Sequence, residues 1–499
     1  MSIINKLKPL REAGRARTHG LDDDIVERFA ATDQNLRLAV AQAVTSYHQL
    51  REEFGDLLDR DESELIDLLQ SSFINFYADD VINPYISLAA KGPWLITLKG
   101  AVMHDNGGYG MLGFGHAPQE ILDTMSQPQV MANIMSPNFS QLRFTRSLQR
   151  EIGHRRADGC PFDKFLCLNS GSESVTVAAR ISDINAKAHT DPDGQHAGKR
   201  ICQMSLSGGF HGRTDRPARY SHSTLKAYRD HLASYRDLHD LITVEPNNLD
   251  SLRAAFAQAE RDNIFIESMF MEPVMGEGNP GQAISAEFYA LARELTSKHG
   301  ALLLVDSIQA GLRTHGVLSV VDYPGFEQLP APDLETYSKA LNGGQYPMSV
   351  LAMTADAAAI YRKGVYGNTM TAAPRALDVG NVVLNGITDE MRQNICERGQ
   401  EMIEKFTRLQ AEMPNVITNV QGTGLLFSVE LDSRQFKSHG SNSTEEYMRL
   451  HGINVIHGGE NSLRYTPHFK ITSAEIDMLV EATRHALLHG PVKAEAEAA

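Results

Sequence analysis

Tyr337-Ser338-Lys339-Ala340-Leu341-Asn342-Gly343-Gly344 sets one lysine among small residues in a glycine-containing turn. It lies downstream of an apolar run, Leu302-Leu303-Leu304-Val305, that closes on Asp306. Four consecutive apolar residues of this kind read as a buried strand. A lone lysine is nearly always a solvated charge, and a strand-end aspartate by itself does no more than cap the next turn. A lysine held between small residues after a predicted strand is instead a candidate nucleophile. Gln309, just past Asp306, is placed to reach the same ligand.

Taken as a pair, Asp306 and Lys339 are what pyridoxal phosphate (PLP) chemistry needs. The lysine forms a Schiff base with the cofactor aldehyde, and the carboxylate keeps the pyridine nitrogen protonated so that the ring accepts electrons. Three upstream motifs fit the same ligand. Asn169-Ser170-Gly171-Ser172-Glu173-Ser174 follows a predicted strand and opens a helix. Its first-turn N–H groups, its Ser170 and Ser172 hydroxyls and the positive helix end suit a phosphate, although Ser-Gly-Ser at such a place is equally an ordinary N-cap. Gly208-Gly209-Phe210-His211-Gly212-Arg213-Thr214 offers an aromatic ring to stack on a flat ligand and an arginine to clamp a carboxylate. Glu272-Pro273-Val274-Met275-Gly276-Glu277-Gly278 supplies acids in a glycine-rich loop, one of them able to neutralise a pocket arginine.

Bulk composition sets the outer limits. The 499 residues suffice for a large core and more than one domain, and 42% hydrophobic with 22% charged residues is a globular composition. A net charge of -15 argues against non-specific nucleic-acid binding and against docking on anionic membranes. Cys160, Cys167, Cys202 and Cys396 form neither a C-x-x-C pair nor a zinc pattern, so reduced thiols in a cytoplasmic protein are expected, with no metal. No apolar stretch is long enough to span a bilayer. Residues 1–20 carry Lys6, Lys8, Arg11, Arg15 and Arg17 against Glu12; they read as a solvated basic arm, with a mitochondrial presequence as the alternative.

Three regions follow along the chain. Residues 1–90 form an N-terminal extension, helical from 21, with Ile25, Phe29, Leu36, Val40 and Val44 at helical spacing and Asp61-Glu62-Ser63-Glu64 as a capping box. Residues 91–385 alternate short apolar runs with amphipathic ones, as expected of a mostly parallel sheet covered on both faces; ligands bind beyond the carboxyl ends of such strands, where the motifs fall. Within it, 91–120 also serve the small domain and the site entrance. Residues 386–490 form a smaller α+β domain, with a long helix over Thr388–Met413 and a capping box at Thr472-Ser473-Ala474-Glu475. Residues 491–499 are a flexible tail.

In order and in motifs the chain resembles the class III (ornithine/ω-amino acid) aminotransferases of PLP fold type I, over roughly Trp94–Leu487. The resemblance implies an α/β fold of that type, with a mostly parallel seven-stranded sheet. It implies Lys339 as Schiff-base lysine, Asp306 as pyridinium partner and Gln309 near the phenolic oxygen. Phe210 would be the stacking ring, and Ser170, Gly171 and Ser172 the phosphate turn. Thr369, in Tyr366-Gly367-Asn368-Thr369, would reach the phosphate of the neighbouring subunit, which implies a homodimer with shared active sites. Tyr109 and Arg213 resemble substrate contacts. Arg464 resembles the arginine that binds a keto-acid carboxylate, and Glu277 the acid that gates it. Ser307, where the family commonly has Glu, and Thr371-Ala372-Ala373-Pro374, where it has Gly-Gly-Asn-Pro, mark an outlying branch.

The function implied is transfer of an amino group from an ω-amine donor (diamino acid, diamine or ω-amino acid) to a keto acid such as 2-oxoglutarate. Two alternatives stand beside it: a racemase, decarboxylase or aminomutase on the same scaffold, and a catalytically silent binding or regulatory protein.

Overall fold

The computed structural model describes residues 2–493, so most of the tail expected over 491–499 lies outside the described residues. The chain divides into two compact units, Glu120–Cys396 and the combination of residues up to Gln119 with those from Glu397.

The unit Glu120–Cys396 is built on a seven-stranded sheet. Its strands are β1 (Lys164–Leu168), β2 (Arg200–Leu206), β3 (Leu241–Val244), β4 (Ile264–Met271), β5 (Leu302–Asp306), β6 (Leu334–Tyr337) and β7 (Ser349–Met353), in the order β1-β7-β6-β5-β4-β2-β3. Only β7 runs antiparallel to its neighbours. Every residue of β4 to β7 is buried. That pattern, without alternation, is that of strands covered on both faces, and it explains the continuous apolar runs in the sequence. The long crossovers contain helices, among them Gly171–Thr190, Leu249–Arg261 and Ala286–His299. The last is bounded by physical signals: Ser285 Oγ accepts the Phe288 N–H at its start, and Gly300 ends it at φ +77°. Because β1, β2, β4, β5 and β6 are parallel, their carboxyl ends share one edge of the sheet. The residues that follow them, Asn169, Gly208–Arg213, Glu272, Asp306 and Lys339, therefore emerge together.

The other unit holds two four-stranded sheets. One comprises Ser87–Lys91, Trp94–Thr97 and Val102–Asp105, with Ile453–Asn454 parallel to the third strand. The second is antiparallel, from Ile417–Thr423, Leu426–Leu431, Ser462–Tyr465 and Ile456–Gly458. The final helix, Ser473–His489, opens with the expected capping box between Thr472 and Glu475. Glu475 also accepts hydrogen bonds at Oε1 from the Nε2 atoms of His104 and His468, each 3.0 Å away. No helix of the described residues is long and apolar enough to cross a membrane.

Three local expectations for the N-terminal region change. The basic arm keeps Lys6, Lys8, Arg15 and Arg17 exposed, but it is folded and packed rather than loose. Ile3–Arg11 is a helix that buries Leu7 and Leu10 completely, a gain of about 1.5–3 kcal/mol per side chain that an exposed arm would forgo. Asp61 begins helix Glu62–Gln70 without a side-chain cap. Its Oδ1 accepts the Arg15 N–H, while the buried Glu62 Oε2 accepts the N–H groups of Arg17 and Thr18. These long-range partners outcompete the local box. Helix also stops well short of residue 90: α-helix ends at Gln70, and Ser87–Lys91 is a strand. The extension packs within its unit around Lys99, which is 2% exposed and donates from Nζ to the carbonyls of Ala13, Leu58 and Arg60.

Candidate active site

Asp306 ends β5 and is buried. Its Oδ1 accepts from the Ile308 N–H and the Thr336 hydroxyl, both at 3.2 Å. Its Oδ2 lies 2.9 Å from Nδ1 of the buried His211. The carboxylate is thereby held at the sheet edge with its orientation fixed. Lys339 follows β6 by two residues and opens a short 3-10 turn, Lys339–Asn342. It takes φ +45°, a left-handed conformation rare for a side-chain-bearing residue. Such conformations cost on the order of 1–3 kcal/mol and collect at functional positions. Its Nζ donates to Gln309 Oε1 at 3.2 Å.

Gln309 is 7% exposed, and its Nε2 is buried without a hydrogen-bond partner. An orphaned buried donor of this kind calls for a ligand acceptor. A pyridoxal phenolic oxygen suits it, with the amine of Lys339 on the same side chain's Oε1. Gly276 approaches this glutamine so closely that a Cβ there would lie 2.0 Å from Oε1.

Phe210 is half-buried, and the Arg213 guanidinium lies 5.4 Å from its ring centroid. The Phe210 N–H donates to Glu272 Oε2 at 3.0 Å, and the Gly276 N–H donates to Glu272 Oε1 at 2.9 Å. Glu272 thus ties the ring-bearing loop to the loop that carries Glu277. Burial pushes its carboxyl up to about 7, against the opposing influence of His211. Arg213 itself is exposed and Glu277 half-buried.

Ser170 is the N-cap of helix Gly171–Thr190. Its Oγ accepts the Glu173 N–H in a full capping box that opens the helix, and the O–H is left to donate. Gly171 and Ser172 stand in the first turn beside it. Gly212 comes so near Ser172 that a Cβ would meet its Oγ at 2.5 Å, which brings the Phe210 loop against the helix start. Glu173 Oε1 accepts from the Tyr366 hydroxyl and from Asn368 Nδ2, anchoring the segment before Thr369. Thr369 is exposed.

Tyr109 and Arg464 come together in the other unit. Arg464 is 1% exposed in the strand Ser462–Tyr465, and its Cζ lies 5.6 Å from the Tyr109 ring centroid. Tyr77 stacks on Tyr109 with centroids 5.9 Å apart and planes 14° from parallel. Burial raises the Tyr109 hydroxyl well above its usual value.

Three of these groups escape a reading of the sequence. His211 and Glu272 stand inside the motifs, next to the candidate residues. Both stand out only because the fold buries their titratable side chains, which an isolated motif does not reveal. Tyr77 has no sequence signal, because its stacking on Tyr109 is a contact between segments distant in the chain.

Comparison with known proteins agrees with this geometry. The family model "Aminotransferase class-III" matches residues 76–487. Acetylornithine aminotransferase of Mesorhizobium japonicum is 25% identical over 390 residues, covering 77% of this chain and 89% of its own length. Ornithine aminotransferase 2 of Staphylococcus aureus is 26% identical over 410 residues, covering 81% of this chain and 94% of its own. Among solved structures, ornithine aminotransferase from Toxoplasma gondii superposes with a TM-score of 0.71 at 21% identity, covering 86% of this chain and 94% of its own, which speaks to the fold. The matched span takes in every residue of the cluster around Asp306 and Lys339 as well as Tyr109 and Arg464, and the chain accordingly belongs to the class-III aminotransferases, with pyridoxal 5'-phosphate as its cofactor.

Proposed function

We propose that this aminotransferase takes the amino group of an ω-amine donor (a diamino acid, diamine or ω-amino acid) and passes it to a keto acid, 2-oxoglutarate first among them, in a ping-pong cycle. The observation that carries the reading is the Lys339–Gln309–Asp306–His211 cluster at one edge of the sheet. PLP, when bound, supplies an aldehyde that captures the amine and a ring that takes up the electron pair left when a neighbouring C–H bond breaks.

The protein's own part is positioning and proton movement. Lys339 Nζ would hold the cofactor at rest and, once freed, would carry the proton between the carbon bearing nitrogen and the next atom. Asp306 would face the pyridine nitrogen, with His211 Nδ1–H keeping its carboxylate aimed. Gln309 Nε2 would donate to the phenolic oxygen, Phe210 would cover one face of the ring, and Ser170, Gly171 and Ser172 would hold the phosphate at the helix start.

Substrate selection falls to four side chains. Arg213 and Arg464 are each assigned a carboxylate of the keto acid, Glu277 the part of a gating acid and Tyr109 that of a donor contact. The assembly is a homodimer in which Thr369 of one protomer reaches the phosphate held by the other.

A donor panel with 2-oxoglutarate, read by glutamate formation, tests the reading. Glutamate from at least one ω-amine, with parallel double-reciprocal plots, supports it. Intersecting plots at all concentrations, or many turnovers of a donor without any keto acid, would refute it.

A further inference from the structure

Three side chains of metal-ligand type, far apart in the sequence, meet within the unit that carries Tyr109. His104 stands on the strand Val102–Asp105, His468 follows the strand Ser462–Tyr465, and Glu475 lies in the first turn of the helix Ser473–His489. One ligand atom from each lies within 4.8 Å of the other two, and Glu475 Oε1 is 3.0 Å from Nε2 of both imidazoles. No other group of three such side chains converges in this way among the described residues. His104 is fully buried and Glu475 nearly so, whereas the His468 side chain, 13% exposed, gives the cluster a way to solvent.

Each donor is fixed from behind. Glu475 Oε2 accepts the N–H and the hydroxyl of Thr472, both at 2.7 Å, which leaves Oε1 to the imidazoles. The backbone on either side of His468 is held by the Thr466 N–H donating to Asn106 O at 2.8 Å and the Phe469 N–H donating to Gly113 O at 2.7 Å. His104 Nδ1 lies 2.9 Å from Nδ2 of the buried Asn106, whose Oδ1 has no hydrogen-bond partner.

A carboxylate only accepts, so in this arrangement both Nε2 atoms carry the hydrogen. Two imidazole nitrogens and a carboxylate oxygen around one point are equally the donor set of a zinc-class ion, and tetrahedral bonds of about 2.0–2.2 Å set such donors roughly 3.3 Å apart. The two N···O pairs, at 3.0 Å, are near that spacing, so the remaining adjustment falls on the two nitrogens. On binding, the hydrogens pass from Nε2 to Nδ1 of the same rings, with no net proton lost. The shifted hydrogen of His104 needs an acceptor, and Asn106 supplies one. Half a turn of its amide brings Oδ1 to the place of Nδ2, at the loss of the 3.3 Å bond from Nδ2 to His104 O. A group that accepts from the far nitrogen of a ligating imidazole is a regular part of metal sites.

We propose that His104 Nε2, His468 Nε2 and Glu475 Oε1 bind a divalent ion of the zinc class, with solvent as the fourth ligand on the His468 side, and that this ion ties the strand Val102–Asp105 to the last helix. No step of the amino transfer is assigned to it. Ligands at 104, 468 and 475 leave no spacing motif, which is why the sequence reads as free of metal.

The test uses the holoenzyme treated with chelator and desalted, with Co2+ as the probe, read by its visible ligand-field spectrum, and Zn2+ as the competitor. One saturable Co2+ site per chain, displaced by Zn2+, is expected in the wild type. His468→Ala, at the exposed member, and Glu475→Gln, which keeps a capping side chain, should each weaken it by at least about a hundredfold, and Asn106→Ala by about ten- to a hundredfold. Zn2+ should raise the unfolding temperature of the wild type and leave that of His468→Ala unchanged. The absence of a saturable site in the wild type overturns the inference. So does a site that survives in His468→Ala, because the ion then sits on other residues or on the cofactor. Circular dichroism in chelator checks that the variants fold; should Glu475→Gln fail to, His468→Ala decides alone.

Discussion

His211 Nδ1 lies 2.9 Å from Oδ2 of Asp306, and both side chains are buried. Because a carboxylate only accepts, Nδ1 carries the hydrogen, and the imidazole acts as a brace on the acid proposed to face the pyridine nitrogen. A hydrogen bond to a charged group is worth about 1.5–3 kcal/mol, so His211→Ala should lower kcat/KM by about ten- to a hundredfold. Asp306→Ala removes the charge itself and should cost more. Steady-state rates, together with a displaced pH profile of the cofactor absorbance in His211→Ala, check both.

Lys339 joins the cofactor through a reducible bond in this reading. Borohydride treatment of the wild-type holoenzyme should leave a stable cofactor adduct on the peptide containing Lys339. Lys339→Ala should show no adduct there by mass spectrometry and no multiple turnover. An adduct on another lysine, with Lys339 unmodified, would contradict the assignment.

Glu335 carries a separate pH effect, on stability. It is fully buried on β6, and burial pushes its carboxyl up to about 7, opposed by hydrogen bonds from Ser307, Ser319 and the Val320 N–H. A folded-state value raised above the ordinary 4.5 means that the folded form holds the proton more tightly. The corresponding stability is complete below about pH 4.5 and is lost as pH rises through about 7. Glu335→Gln, which keeps the shape without the titration, should flatten the fall by an amount on the order of 3 kcal/mol. Urea unfolding at pH 5 and pH 8 measures the difference between the two proteins.

Lys99 fastens the N-terminal extension by donating to three main-chain carbonyls, those of Ala13, Leu58 and Arg60. Lys99→Met keeps the length of the side chain and strands those acceptors. A destabilisation of about 2–4 kcal/mol is expected from buried groups left unpaired. Limited proteolysis should then cut within residues 12–20 of the variant before the wild type.

Much of the large unit is legible in the amino-acid sequence. Leu302–Val305 and Ile264–Met271 are buried on both faces, so their uninterrupted apolar runs announce central parallel strands, and the acids that end them announce a ligand edge. Thr472 and Glu475 cap the last helix as their spacing implies, because a capping box needs only residues three apart. Asp61 looks alike and behaves differently: Arg15, from another part of the chain, takes its carboxylate. Ser170 illustrates how a local motif serves more than one end, since its oxygen accepts at the helix start while its O–H is left to donate.

The sequence by itself determined the central elements of the large unit and singled out the candidate residues at their ends, because a strand's burial pattern, a helix cap and a lysine among small residues are all recorded within a few positions of one another. Only the tertiary structure decided which neighbours tune those residues. His211 on Asp306, Glu272 between two loops and Tyr77 against Tyr109 are pairings across the chain. Their strength comes from burial away from water, a property of packing that no short stretch of residues carries.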